Sequence, residues 1–476
     1  MSSQIAQTVS EAQVTLERAR DRLLALQHEA GWWKGELQTN VTMDAEDMLL
    51  REFLGIRDAE EIERSAAWIR SQQRADGTWA NFYGGPGELS TTIEAYWALR
   101  LAGDEPEQQH MRVAADFIRS EGGVERARVF THVWLALFGL WPWEQVPALP
   151  PEIVLLPKWM ALNVYDFACW ARQTIVALSI VMAHRPRHEL SFDLRELRGS
   201  APWRRAVPVS ARGRWLARLD RVLRAYERRP FAPLRRLAMR GAERWIVSRQ
   251  EADGSWGGIQ PPWVYSLMAL RLNGRPLSDP VMRRGIEGLD RFMVEEHDDP
   301  LGVSAPAGAG RSLIGRRLEA CQSPVWDTAL SVVALNDAGV AGDHPALVRA
   351  GKWLLGEEVT VGGDWRVARP ALRPGGWAFE FANVNYPDVD DTAEVVLALE
   401  RVRAAMEPTA PIDGAVKRAL RWVEGMQSSD GGWGAFDADN TRSLVRELPF
   451  LDFGEVIDEP SADVTGHALE MLAVLG

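Results

Sequence analysis

The chain predicts an all-α fold of stacked helical hairpins, and three observations carry that prediction. A pattern of Gln, three residues, Gly, one residue, Trp recurs at Gln27-Gly31-Trp33, Gln73-Gly77-Trp79, Gln250-Gly254-Trp256 and Gln427-Gly431-Trp433. Between the copies, apolar residues recur at helical rather than strand spacing. Trp is used heavily, 21 against 6 Tyr, so large rigid rings serve as structure or as a binding surface.

In the last three copies an aromatic-aliphatic pair comes first: Trp68-Ile69, Trp245-Ile246 and Trp422-Val423. Asp76, Asp253 and Asp430 precede the glycines. The physical reading is an amphipathic helix that ends, an Asp-Gly turn, and a Trp that covers the helix end. The Gln amide can bond backbone groups left free there or at the next helix start. Such hairpins cannot bury their apolar faces alone and must stack. The segment from Lys352-Trp353-Leu354-Leu355 to Gly363-Asp364-Trp365 reads as a decayed copy without the Gln.

At 476 residues the chain exceeds one ordinary core, so two domains are expected. Residues 1–30 read as a polar helix with no signal peptide. Ser90-Thr91-Thr92 and Asp327-Thr328 each open an apolar helix with capping residues, as does Asp391-Thr392. Arg185 to Ser210, rich in Pro and Gly, is expected to be a connector, and Gly302 to Gly310 a mobile loop. Cys169 and Cys321 supply neither a disulfide framework nor a zinc set, which points to a reducing compartment. No apolar run is long enough to span a bilayer.

Charge is uneven. The net charge is −12, yet Arg212 to Arg249 holds twelve Arg against Asp220, Glu227 and Glu243. Trp215, Leu219, Val222 and Tyr226 form one helical stripe there, continued by Leu234, Leu237, Ala238 and Trp245. A basic amphipathic helix pair is expected to lie in an anionic membrane surface, the alternative being a solvated basic face against an acidic neighbour. The acidic remainder disfavours nucleic acid as a partner.

The chemistry-bearing stretch is Tyr386-Pro387-Asp388-Val389-Asp390-Asp391-Thr392. Its carboxylates lie at a helix start, where the macrodipole favours anions, and Asp391 and Glu394 have capping-box spacing. Carboxylates this close repel, so at least one stays protonated and becomes a candidate general acid. Trp377, Phe379 and Phe381 lead into them. Acid beside aromatic faces suits carbocation chemistry: a proton adds to an alkene and π-faces hold the charge. A rival reading takes Asp390-Asp391-Thr392-Ala393-Glu394 as a magnesium-diphosphate site.

Asp388-Val389-Asp390-Asp391-Thr392 resembles the DxDD motif of class II terpene cyclases, and the repeat resembles the QW motif of triterpene cyclases. Together with Trp256-Gly257-Gly258-Ile259-Gln260-Pro261-Pro262-Trp263, Ser323-Pro324-Val325-Trp326-Asp327-Thr328 and Pro460-Ser461-Ala462-Asp463-Val464-Thr465-Gly466-His467, they make the chain similar to squalene-hopene cyclases along nearly its whole length. The resemblance implies two (α/α) helical barrels with an apolar cavity between them and a monotopic membrane face on the cytoplasmic side. It implies an N-terminal helix (1–30), a first barrel (31–300) containing the membrane segment (212–249), and a catalytic barrel (301–476) that is incomplete. By resemblance Asp390 is the proton donor, Asp388 and Asp391 flank it, His467 hydrogen-bonds it and Asp463 neighbours the histidine. Trp170, Ile259, Trp326, Asp327, Phe379, Tyr386 and Phe436 contact substrate, with Glu46 and Glu94 at the terminating end. Phe436 stands where many members carry Tyr.

The implied substrate is squalene or a similar linear polyprene, cyclised to hopene or hopanol without metal or cofactor. The family's chains continue past Gly476, so this chain alone is expected to be inactive, or nearly so. A homodimer and a C-terminal region supplied as a separate chain are kept among the partners. Cyclisation of another polyprene, a metal-dependent synthase, and a non-catalytic helical-repeat protein remain alternatives.

Overall fold

The computed structural model describes residues 2–200, 210–297, 313–449 and 455–476. Helix accounts for 58% and strand for 3%, so the fold is all-α as expected. The first helices are α1 (Ser2–Ala25), α2 (Thr42–Leu54), α3 (Ala59–Ser71), α4 (Leu89–Ala102), α5 (Gln109–Ser120), α6 (Val129–Leu137), α7 (Cys169–His184) and α8 (Ala211–Arg228). They are followed by α9 (Ala232–Val247), α10 (Gln260–Leu272), α11 (Pro280–Arg291), α12 (Pro324–Asp337), α13 (Pro345–Gly356), α14 (Val389–Val402), α15 (Ala410–Met426) and α16 (Ala462–Leu475). A short antiparallel pair, β1 (Met293–His297) and β2 (Leu313–Leu318), is the exception.

The chain divides into two compact units, one made of residues 37–321 and 442–457, the other of 1–36, 322–441 and 458–476. In the first, α2, α4, α7 and α10 pack side by side, with α3, α5, α9 and α11 against them. The inner helices are apolar nearly all round: α10 buries Trp263, Val264, Tyr265, Leu267 and Met268 in succession. In the second unit α14 lies between α12 and α16, backed by α13 and α15.

These units depart from boundaries drawn at 30/31 and 300/301. The reason lies in the first repeat turn. Gln27 donates its amide to Gly31 O (2.9 Å) and to Ala346 O (2.8 Å), and Trp33 N–H donates to Thr328 Oγ1 at 2.9 Å. The N-terminal segment therefore packs with α12 and α13. Residues 442–457 return to the other unit, where Ala168 N–H donates to Val456 O at 2.8 Å.

The repeats do what their composition predicts. The indoles of Trp33, Trp79, Trp256 and Trp433 donate to the carbonyls of Leu23, Ile69, Ile246 and Val423, each ten residues back, at 2.7–2.8 Å. Each bond engages a carbonyl in the last turn of a helix, where the regular backbone donors run out. Gln73 bonds Gly77 O and His110 O, and Gln250 bonds Gly254 O and Val281 O. One amide thus ties a turn to the second residue of the next outer helix. In the decayed copy the ring is Trp377 rather than Trp365: its indole donates to Leu354 O at 2.6 Å. Trp365 is buried as well, edge-on to Trp422.

Some caps fall earlier than expected. Glu88, not Ser90, caps α4 by accepting from Thr91 N–H, and Asp388, not Asp391, caps α14 by accepting from Asp391 N–H. Helix α12 starts after Ser323, leaving Asp327 in its first turn. The stripe on α8 also divides. Trp215 and Val222 are exposed, Leu219 lines an apolar recess, and the Tyr226 hydroxyl donates to Glu152 Oε1 at 2.6 Å. The inward face is shifted by one residue because Leu216 and Asp220 are the buried positions. The connector from Arg185 is packed through Leu194 and Leu197, while residues 201–209 and the glycine-rich stretch 302–310 lie outside the described residues.

Candidate active site

Asp388, Asp390 and Asp391 occupy the cap and first turn of α14, so one turn of backbone sets their separation. The cap is pinned on both sides. Asp388 N–H donates to Trp377 O at 2.9 Å, and Thr392 Oγ1 donates back to Asp388 O at 2.5 Å. Asp388 and Asp391 are buried and Asp388 Oδ1 accepts from Asp391 N–H at 2.6 Å. Burial pushes the Asp388 carboxyl up to about 7, opposed by its bonds to Asp391 and reinforced by the charges of Asp390 and Asp458. Burial, the Asp388 charge and a hydrogen bond to Asp388 hold Asp391 well above the carboxylate range, so the coupled pair retains a proton.

Asp390 points elsewhere. Its Oδ1 bonds Nδ1 of His467, from the second turn of α16, and both side chains are partly exposed. Nε2 of the same imidazole is 4.0 Å from Glu394 Oε1. Burial alone would lower the His467 pKa, but the bond to Asp390 and the charges of Asp390, Glu394 and Glu470 outweigh it and hold the imidazole above its ordinary value. Trp326 faces the imidazole with ring centroids 5.8 Å apart. The arrangement is a carboxyl bonded to an imidazole whose protonated form is favoured, on the rim of a buried carboxyl pair. Such a group can give up a proton to a weak base and hold the resulting charge.

A second polar cluster lies in the other unit. A cleft of about 200 Å³ is lined by Glu46, Arg128, Trp170, Ile259 and Tyr265, among others. Glu94 is fully buried behind it, accepting from Arg128 Nη2 at 3.1 Å and from the Thr131 hydroxyl. Burial and the Glu94 charge push Glu46 up to about 8, against Arg128 and a 3.3 Å bond from Gln260. Trp170 donates its indole N–H to Glu455 O at 2.9 Å.

Comparison with known proteins matches residues 16–298 to the squalene-hopene cyclase N-terminal domain and residues 322–476 to its C-terminal domain. The chain belongs to the squalene-hopene cyclase family. A squalene–hopene cyclase from Alicyclobacillus acidocaldarius is 47% identical over all of this chain and 73% of its own length. A dammaradiene synthase from Dryopteris crassirhizoma is 37% identical over 97% of this chain and 65% of its own. A squalene–hopene cyclase from Zymomonas mobilis is 34% identical over 97% and 70%. The family is one of class II terpene cyclases.

Of the sequence-derived candidates, Asp390 and His467 are brought together, while the others are variously placed. Asp463 is exposed, one turn before His467, and its carboxylate bonds Ser461 and Val464 at the start of α16. Tyr386 is buried with its hydroxyl donating to Asp364 Oδ2 at 2.6 Å. Asp327 accepts from Gly35 N–H (2.7 Å) and the Ser323 hydroxyl (2.8 Å), so it holds the first repeat turn. Phe379 and Phe436 are half-buried. Glu394, weighed only as a cap or metal ligand, faces the imidazole instead.

One residue escaped the sequence reading. Asp458 accepts from the backbone N–H groups of Ala435, Phe436 and Asp437 at 3.0, 2.6 and 2.7 Å. It thereby fixes the loop whose Ala435 carbonyl accepts from Val389 N–H beside the triplet. Only an acid two residues before Pro460 could have drawn attention to it.

The buried Glu46 gives a pH prediction. Its folded pKa of about 8 exceeds the ordinary 4.5, so between those values the folded state binds more protons than the unfolded one. Stability from this group is complete below the ordinary value and lost as pH rises through the folded value, with a slope approaching about 1.4 kcal/mol per pH unit. Denaturant midpoints are expected to fall over that window in the wild type and to fall less steeply in Glu46→Gln, where other buried carboxyls such as Asp388 still titrate. A wild-type midpoint independent of pH there would contradict the assignment.

Proposed function

We propose that the chain is an isomerase that protonates a terminal alkene of squalene and guides the resulting cation through polycyclisation to hopene or hopanol. The observation that carries this reading is the Asp390–His467 bond at the edge of the buried Asp388–Asp391 pair. Asp390 delivers its proton to one alkene carbon, the π electrons form the new C–H bond, and the other carbon becomes cationic. The carboxylate left behind is met by the His467 imidazolium, which lowers the cost of losing that proton. Burial raises both Asp388 and Asp391, which limits the negative charge that competes beside Asp390. Aromatic faces such as Trp326 suit a cation.

A second reading concerns product rather than chemistry. The 37% identity to a dammaradiene synthase favours keeping other cyclisation outcomes open. The diphosphate reading gains nothing from the geometry, because Asp390 bonds His467 while Asp391 bonds Asp388, so the two do not converge. The test is product analysis with squalene and with other linear polyprenes. Cyclic hydrocarbon or alcohol from squalene is expected. Turnover restricted to a prenyl diphosphate would overturn the reading.

Peripheral attachment to a membrane surface is part of the proposal. Among the described residues no helix is long and apolar enough to cross a membrane. Helices α8 and α9 instead expose Trp215, Val222, Phe231, Leu234 and Leu237 among their arginines. Beside them a recess of about 350 Å³, lined by Leu216, Leu219 and Leu223 with Ile153 and Leu156, would suit an isoprenoid chain. Each basic residue at an anionic surface contributes about 1 kcal/mol. The protein is expected to bind phosphatidylserine vesicles, less tightly at high salt because screening weakens the charge contribution. Absent or salt-insensitive binding would favour a solvated basic face.

A further inference from the structure

The Glu46 cleft has a polar neighbour. A recess of about 560 Å³ is lined by Gln38, Asn40, Gln72, Arg74 and Asn81, beneath the exposed rings of Phe82 and Tyr83. Asn40 lines both this recess and the cleft. Its Nδ2 donates to Asn81 O at 3.2 Å and its Oδ1 accepts from Thr42 N–H at 2.9 Å. The Thr42 hydroxyl in turn accepts from Arg128 Nη2 at 3.4 Å, the same nitrogen that holds Glu94. Asn81 Oδ1 accepts from Thr91 Oγ1 at 2.7 Å, fixing the far wall. On the inner side, buried Gln260 Oε1 has no hydrogen-bond partner among the described residues, although its Nε2 bonds Glu46. A polar seam thus runs from the outer recess past one asparagine to the two buried glutamates. The rest of the cleft wall is largely apolar: Met43, Phe130, Ile259 and Pro261.

We propose that Asn40 is the passage between the outer recess and the Glu46–Glu94 site, admitting water and letting protons leave. The proposal rests on the cyclase reading for its purpose. One proton enters with each initiation, so one must depart at termination. A C–H bond next to the cationic carbon breaks, its electron pair becomes the alkene, and the proton passes to water or a carboxylate. Alternatively, a water lone pair forms a C–O bond and the oxonium releases a proton. Glu94 is held by Arg128 and Thr131, so the departing proton needs a polar route outward. The seam at Asn40 supplies one, and makes Asn40 a positioning residue for water rather than a catalytic residue.

The test reads the resting full chain and needs no turnover. At neutral pH the Glu46 carboxylic acid gives an infrared C=O band, assigned by its loss in Glu46→Gln. On dilution into D₂O the rate at which that band shifts reports solvent access. Asn40→Leu is expected to slow the shift roughly tenfold, the effect of replacing a hydrogen-bonded polar step by an apolar one. Asn40→Ser should keep the wild-type rate. Gln72→Trp, which narrows the outer recess without touching Asn40, should also slow it and stands in where Asn40→Leu does not fold. Wild-type rates in the folded Leu and Trp variants would overturn the passage, as would equal slowing in Asn40→Ser. Failure of the cyclase reading would show separately, as no cyclic product from squalene with the wild type. Where squalene is turned over, Asn40→Leu is expected to raise the alkene-to-alcohol ratio, and an unchanged ratio counts against the passage.

Discussion

Asp390→Asn is expected to remove cyclisation while leaving the fold intact. In any preparation that turns over a polyprene, the loss should reach at least roughly 10²–10⁴-fold, the range a positioned general acid supplies. An amide keeps the shape and can still accept from His467 Nδ1, but it has no acidic proton to give. Asp390 is partly exposed and bonded to one side chain, so the substitution leaves no buried charge unpaired. His467→Ala should impair the step less completely, since the proton remains but the carboxylate loses its partner. Asp391→Asn and Asp388→Asn should impair it strongly, because the buried pair shares hydrogen bonds that an amide rearranges. Circular dichroism separates lost chemistry from lost structure. Near-normal turnover by Asp390→Asn would show that the proton comes from elsewhere.

Trp256→Ala is expected to have the largest effect on stability. The ring is fully buried, its N–H closes Ile246 O at 2.8 Å, and Gly285 leaves room for it in α11. Truncating a buried Trp costs about 3–5 kcal/mol, a large share of the roughly 5–15 kcal/mol that holds a domain together. For a unit of this size the melting midpoint should drop by roughly 6–20 °C. Trp256→Phe keeps much of the ring and drops the hydrogen bond, so its loss should be smaller. Trp159→Ala, on a ring 75% exposed, should stay within about 0.5 kcal/mol of wild type. Equal effects at Trp256 and Trp159 would mean that the repeat turn does not hold the helices.

What was legible in the sequence was what local spacing encodes. The Gln-Gly-Trp turns carry their partners within ten residues, so their role could be read before any packing was known. The acid triplet is likewise one helical turn, while the pairing of His467 with Asp390 was legible only through resemblance to the family. What depends on distant chain was hidden. Asp458 acts through three amides some twenty residues away, and no pattern near it announces that. Asp463 and His467 are one turn apart, yet only the histidine turns to Asp390. The N-terminal helix reads as an element of its own ahead of a barrel starting at residue 31, yet Gln27 and Trp33 tie this stretch to helices some 300 residues later.

The copy that ends on Trp377 shows how such a protein could change over generations. Elsewhere the indole reaches a carbonyl ten residues back, and here it reaches twenty-three back to Leu354, with the same bond closed at the helix end. The ring and the carbonyl are the fixed points, and the chain between them is free to lengthen at a small entropic cost. Within that longer span lies Asp364, which takes the Tyr386 hydroxyl two residues before Asp388. A lineage can therefore insert residues into one turn, recruit new side chains beside the acid, and inherit the helix packing unaltered.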